Sequence, residues 1–286
     1  MQLTLMSMNL QYAGRSDADG RPDDRWPQEA EIVRKVRPDI LLAQEAHGWM
    51  ADPRLQAAAE RDLDMRAHVA PSRSGAHTVL MHRTDTIRWR HWETKYADQT
   101  LHGFGVAVLD LLADPKVKTP LTVITAHLTP YSAHAAAQEA QVMLGRVYRY
   151  GGMGLIGGDI NHCPPGDTEP DWDSVPPYNR SSRCHRRHLP PQEPFRANHI
   201  VGQTLADGDL HDVAAHLATD NPSSTELRAP TGHGGIRVDQ VWVTANMVNT
   251  VLGYRQIDTG RASDHNAIVV TFSTDALHDV QERTWI

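Results

Sequence analysis

The stretch Gly154-Leu155-Ile156-Gly157-Gly158-Asp159-Ile160-Asn161 sets the reading of the whole chain. A short apolar run reads as a buried strand, two glycines interrupt it, and a carboxylate and an amide follow at its end. The same pattern recurs elsewhere. Leu3-Thr4-Leu5-Met6-Ser7-Met8 ends in Asn9, Ile40-Leu41-Leu42-Ala43-Gln44 ends in Glu45, and Leu121-Thr122-Val123-Ile124-Thr125-Ala126 ends in His127. Arg237-Val238-Asp239 opens a further apolar run, and Ser263-Asp264-His265 opens the last. Strand ends gather along one edge of a sheet, so carboxylates, amides and imidazoles at so many of them are expected to share one site.

Around these ends the apolar periodicity predicts strands over Leu3 to Met8, Ile40 to Ala43, His77 to His82, Ile87 to Trp92, Phe104 to Leu112, Leu121 to Thr125, Leu155 to Ile156, Val238 to Thr244, Val248 to Tyr254 and Ala267 to Phe272. Helical spacing appears over Pro27 to Val36, closed by Pro38, and over Ser132 to Tyr150, closed by Gly151 and Gly152. Strands follow one another without a helix from His77 to Thr125 and from Val238 to Phe272. Both stretches are expected to form antiparallel meanders, which argues against a purely parallel sheet. Trp89 and Trp92 read as core residues of their strand.

The chain has 286 residues, with 40% hydrophobic and 22% charged side chains, an ordinary globular composition. The expectation is one domain over residues 1–286, with a long insertion loop at about 163–198 that is rich in Pro, Asp, Arg and His and lacks apolar periodicity. The net charge of −7 gives no general attraction for nucleic acid. Two cysteines cannot build a disulfide framework. No run is long enough to span a bilayer, and the first residues lack the pattern of a secretory signal, so the reading is a cytoplasmic, monomeric protein without a membrane partner.

Taken together, the strand-end residues resemble those of the endonuclease/exonuclease/phosphatase superfamily, the deoxyribonuclease-I-like phosphoesterases. Gly158-Asp159-Ile160-Asn161 is similar to its G-D-x-N, Ser263-Asp264-His265 to its S-D-H, Gln44-Glu45 to its Q-E, Thr125-Ala126-His127-Leu128 to its T-x-H-L and Arg237-Val238-Asp239 to its R-I-D. The order and spacing also agree, over nearly the whole chain. The resemblance implies an α/β four-layer sandwich, with two mixed β-sheets packed face to face and helices outside. It implies a divalent cation, magnesium or manganese, and hydrolysis of a phosphoester bond.

By that resemblance Glu45 is the main metal ligand, with Asn9 and Asp264 close by, and the hard oxygen donors suit such an ion. Asp159 orients or deprotonates the attacking water. Asn161 holds a phosphate oxygen or a metal-bound water, His265 contacts the phosphate, and Asp239 binds the other nitrogen of His265 and raises its pKa. His127 is either a second imidazole on the phosphate or a general acid, and the sequence leaves both open.

The segment Tyr178-Asn179-Arg180-Ser181-Ser182-Arg183-Cys184-His185-Arg186-Arg187-His188 is the strong basic cluster of the chain. Arg180, Arg183, Arg186 and Arg187 are read as phosphate-binding forks of a substrate loop, against the alternative of a solvated surface. A zinc site from His162, Cys163, Cys184, His185 and His188 lacks a standard spacing, and uninvolved loop residues are the preferred reading. His47 and His233 are placed near the site or on the surface. The leading function is a nuclease-type phosphodiesterase acting on nucleic acid. The alternatives are an enzyme for a small phosphorylated metabolite or nucleotide, one for a phospholipid head group, and a non-catalytic binding protein. The last is disfavoured because Asp159 and His265 are both present.

Overall fold

The computed structural model describes residues 1–185, 194–219, 224–232, 234–278, 280 and 282. Among the described residues, twelve strands form two mixed six-stranded sheets. The first sheet runs β11 (Val251–Ile257), β12 (Ala267–Ser273), β1 (Gln2–Asn9), β2 (Ile40–Gln44), β4 (Thr78–His82), β3 (Arg66–Ala70). The second runs β5 (Ile87–Glu93), β6 (Gly105–Leu111), β7 (Leu121–His127), β8 (Gly154–Asp159), β10 (Asp239–Thr244), β9 (Leu210–Asp212). Each sheet contains one parallel pair, β1 with β2 and β7 with β8. Helix α1 (Trp26–Val36) makes the first of these crossovers and α3 (Ala133–Val147) the second. The expected α/β sandwich of two mixed sheets with helices around them is therefore the observed fold.

Strand periodicity explains both the packing and the site. Alternate side chains of β1 and β2, Leu3, Leu5, Ile40 and Leu42, meet Leu109, Val123, Leu155, Val241 and Val243 of the second sheet in the central core. The intervening Met6, Met8, Leu41 and Ala43 face outward onto Trp26, Ala30 and Val33 of α1 and onto α2 (Pro53–Leu63). On the far side Val106, Ile124, Ile156 and Trp242 pack under α3 and under Val201 and Leu205 of helix Ile200–Asp207. Each inward stripe turns polar at the same end of the sandwich. Leu3-Leu5 continues to Ser7 and Asn9, Ile40-Leu42 to Gln44, Leu121-Val123 to Thr125 and His127, and Leu155-Gly157 to Asp159. The site is thus the mouth of the space between the sheets.

Gly158 has φ +141, and a Cβ there would lie 2.0 Å from the Ala126 carbonyl oxygen, so the neighbouring strands close up at Asp159 only because this residue is glycine. α3 is capped by Ser132, whose hydroxyl accepts from Ala135 N at 3.3 Å. α1 ends on Arg37 in the left-handed conformation just before Pro38.

Both predicted meanders need correction. β4 and β5 follow each other in sequence but belong to opposite sheets, as do β10 and β11, so the meanders shrink to β5-β6-β7 and β11-β12. At the turn after β4 the buried Arg83 donates to the Asp64 carbonyl at 3.3 Å. Trp89 is 50% exposed rather than core, because β5 is an edge strand whose register shifts between Trp89 and His91. β3, β9, α2 and the helices Ile200–Asp207 and Val213–Ala218 were not foreseen. Within the insertion, Pro177–Arg183 forms a short helix. Cys163, Trp172, Val175 and Cys184 bury there in a small apolar cluster with Ile236 and Val238, so this stretch is anchored to the sandwich. Among the described residues no helix is long and apolar enough to cross a membrane.

Candidate active site

Register alone brings the central groups together. His127 pairs with Asp159 across β7 and β8, and Asp159 pairs with Asp239 across β8 and β10. Asn9 ends β1 beside Gln44, and Glu45 follows immediately with φ 58. Three nitrogens converge on one oxygen, Asp159 Oδ2: Asn9 Nδ2 at 3.3 Å, His127 Nε2 at 3.5 Å and His265 Nε2 at 3.9 Å. The other carboxylate oxygen accepts from the backbone N–H of Asn161 at 3.0 Å, which fixes its orientation. Asn9 Nδ2 also lies 3.2 Å from Glu45 Oε1 and so bridges the two carboxylates.

Burial and neighbouring charge tune these groups in opposite directions. Burial pushes the Asp159 carboxyl up to about 7, with Asp239 and Glu45 adding to the rise and His265 and Arg183 opposing it. Burial works against the charged form of His265, but Asp239 and Asp159 outweigh it and hold the imidazole up to about 10. His265 Nδ1 sits 2.9 Å from Asp239 Oδ2. His127 is shifted the other way, well below its ordinary range, by burial and then by His102, His265 and His47.

Several residues that carry no recognisable pattern support the site. The turn Gln11–Gly14 has positive φ at four consecutive positions, and it aims Tyr12 N at Glu45 Oε2 (3.0 Å) and Ala13 N at the Glu45 carbonyl (2.8 Å). The buried Arg25 ties that turn, through the Gln11 and Ser16 carbonyls, to Ala262 beside the Ser263-Asp264-His265 loop. Ser263 Oγ donates to the Asn9 carbonyl at 2.7 Å, which joins β1 to the same loop. Thr231 Oγ1 accepts from Val238 N and Asp239 N.

The sequence-derived residues divide as follows. His127, Asp159, Asn161, Asp239 and His265 are brought together, with Glu45 and Asn9 at their edge. Asn9 Oδ1 accepts from Gln11 N, and its amide nitrogen faces the carboxylates and orients Glu45. Asp264 is half-buried nearby, and after burial and Glu45 its charge contributes to raising the Tyr12 phenol. Arg183 does not reach outward to substrate. Its guanidinium is buried and donates to the Asn161 carbonyl (2.8 Å) and Asn161 Oδ1 (3.1 Å). Arg180 stacks on Phe195 at 4.7 Å and donates to the Trp172 carbonyl. Arg186, Arg187 and His188 lie outside the described residues, as does His233. His47 contacts the Glu45 carbonyl through Nδ1 and stacks near Tyr12.

The donor chemistry fits a hard cation. Glu45 offers two carboxylate oxygens, each with a lone pair left after its single N–H partner, and Asp239 Oδ1 is a buried oxygen without a hydrogen-bond partner. Asp159, Asp239 and His265 place donor atoms within 4.8 Å of one another, but the Asp239–His265 bond already fills that corner with a charge pair. Glu45 could hold a hard divalent cation with these oxygens.

No family model matches the sequence, and no curated protein matches it. The fold does match solved structures. An endonuclease/exonuclease/phosphatase from Bacteroides vulgatus superposes with a TM-score of 0.63 at 12% identity, covering 96% of this chain and 99% of that one. A humanized D. rerio TDP2 gives 0.61 at 14% identity, covering 95% and 99%. The endonuclease domain of TRAS1, a telomere-specific non-LTR retrotransposon, gives 0.59 at 16% identity, covering 96% and 99%. The D. rerio TDP2 has also been solved with a single-strand DNA product. At these identities the likeness establishes the architecture.

Proposed function

Starting from this deoxyribonuclease-I-like, endonuclease/exonuclease/phosphatase fold, we propose that the chain is a divalent-metal-dependent hydrolase of phosphoester bonds, acting as a phosphodiesterase on single-stranded nucleic acid. The observation that carries the reading is the convergence of Asn9, His127 and His265 on Asp159 Oδ2. A carboxylate whose proton affinity is lifted to about 7 is matched to accepting a proton from water near neutrality. The backbone N–H of Asn161 holds its other oxygen, so the accepting oxygen keeps one direction. His265, kept charged by Asp239, supplies a fixed positive group for a phosphoryl oxygen as charge develops. A cation at Glu45 would neutralise charge on the phosphoryl oxygens as a Lewis acid.

Support for the substrate class comes from the rim. A cavity of about 470 Å³ is lined by Tyr131, His134, Ser181, His185 and Asn198, and Tyr131 follows four residues after His127. Tyr131 is 77% exposed there, a flat face on which a base can stack. The single-strand DNA product in the D. rerio TDP2 structure and the endonuclease activity named for TRAS1 point the same way. The net charge of −7 favours a single strand over a duplex, and it also keeps a second reading open, a small phosphorylated molecule in the rim cavity.

The test is a panel of single-stranded DNA, plasmid DNA, RNA, nucleotides and phosphomonoesters, each with magnesium or manganese and with chelator. Cation-dependent cleavage of a single strand is the expected result. Turnover of a phosphomonoester alone would favour the second reading, and undiminished hydrolysis in chelator would contradict the metal.

A further inference from the structure

The two histidines facing Asp159 are built in differently. His265 has a carboxylate on its Nδ1. His127 has none: its Nδ1 is buried without a hydrogen-bond partner, and its face is covered by the ring of His102, with centroids 4.0 Å apart and planes 14° apart. His102 is itself fixed. Its Nδ1 lies 2.7 Å from Ser74 Oγ, which is 2.8 Å from Ser72 Oγ, and its Nε2 is buried without a partner. One side chain clamps both histidines: Glu139 of α3 accepts from Leu101 N at 2.7 Å, next to His102, and from Thr129 N at 2.8 Å, two residues after His127. The stack is therefore held from both sides and is not a chance contact between mobile rings.

We propose that His102 is a positioning residue for His127, an uncharged imidazole laid on its face that fixes the ring and keeps it neutral. The site then works with one imidazolium, at His265, and one neutral imidazole, at His127. This inference rests on the proposed phosphodiesterase reading and assigns a role within it. Physical chemistry supports the pairing. Two cationic rings repel strongly at this distance in a buried place, and Asp159, 3.5 Å from His127 Nε2, is shared with Asn9 and His265. The titratable groups that face His127 are Asp159 from β8, His102 from the loop before β6, His265 and the more distant His47. Burial and then His47 lower His102 to about 4. A neutral His127 donates from Nε2–H to Asp159 or to a phosphoryl oxygen, and the general-acid role that the sequence left open does not fall to it.

The experiment uses the full chain and two variants. His102→Phe keeps a flat buried face without nitrogens, and His102→Ala removes the face and lets water reach His127. Imidazole NMR follows the titration of His127, and steady-state kinetics use a phosphodiester with magnesium. In the wild type and in His102→Phe, the His127 midpoint is expected to lie well below the ordinary value of about 6.5. In His102→Ala the midpoint is expected to rise by about one unit or more. The kcat should fall about tenfold in His102→Ala with KM little changed, and it should return to within about threefold of the wild type in His102→Phe. A wild-type His127 already protonated at pH 6, an unchanged midpoint in His102→Ala, or a loss in His102→Phe as large as in His102→Ala would overturn the proposal. The titration does not depend on turnover: if the wild type hydrolyses nothing, the proposed function fails while the midpoints still decide the pairing.

Discussion

Asp239 Oδ2 lies 2.9 Å from His265 Nδ1, while Asp159 Oδ2 faces the Nε2 edge of the same ring at 3.9 Å. The ring is enclosed by negative charge on both sides, which accounts for its retaining a proton up to about 10 in spite of burial. A histidine whose folded pKa is raised contributes stability that is fully present below about 6.5 and is lost as pH climbs through about 10. Asp159 depends on pH in the same direction, but in a lower window. Its raised pKa gives a contribution present below its ordinary carboxyl range and lost as pH rises to about 7, so above pH 7.5 it no longer varies. Between about pH 7.5 and 10.5 the wild-type Tm is therefore expected to fall more steeply than that of Asp239→Asn. Parallel slopes in calorimetric scans would remove the charge pair from the account.

Arg183 is expected to act on turnover through Asn161. Truncation to Ala strips hydrogen-bond donors from the Asn161 carbonyl and Oδ1, and such an orphaned buried acceptor costs about 1–3 kcal/mol. The kcat should fall by about tenfold, and Arg183→Lys should not restore it, because a single ammonium cannot span both oxygens as the planar fork does. Kinetics showing a higher KM with kcat intact would return Arg183 to the substrate contact expected from the sequence.

Gly14 is a structural key to Glu45. It has φ +63, and a Cβ there would come within 2.3 Å of Glu29 Oε2, a carboxylate that burial lifts to about 9. Gly14→Ala should cost at least ~1–2 kcal/mol from the left-handed conformation alone. It should also loosen the turn that holds Tyr12 N on Glu45, so manganese should bind the variant more weakly in titration calorimetry. Unchanged affinity with reduced Tm would confine the turn to stability.

Much of this site was legible because strand periodicity is rigid. With side chains alternating every residue, a stripe such as Leu121-Val123-Thr125-His127 must carry its polar end to the same place as Leu155-Gly157-Asp159 once the strands pair. The supporting residues were hidden for physical reasons. His102 is a single histidine in a loop, and only the folded chain brings it onto His127. Arg183 stands among other arginines and reads as a phosphate fork, and only the folded chain turns its guanidinium inward onto Asn161. The Gln11–Gly14 turn depends on positive φ at three non-glycine residues, which no residue preference announces. The step from β4 to β5 across the sandwich was missed because two apolar runs separated by a short turn look the same whether they pair or part.

The central claim is that Asp159 is the proton-accepting carboxylate of a metal-dependent phosphodiesterase. Steady-state hydrolysis of single-stranded DNA by the wild type and by Asp159→Asn, with saturating magnesium or manganese, tests it most directly. The substitution keeps the side chain's size and leaves an oxygen for the Asn161 N–H while removing the basic oxygen on which Asn9, His127 and His265 converge. Turnover is predicted to fall at least ~10²-fold, with folding retained by circular dichroism. A folded Asp159→Asn protein that cleaves the strand at the wild-type rate would contradict the account.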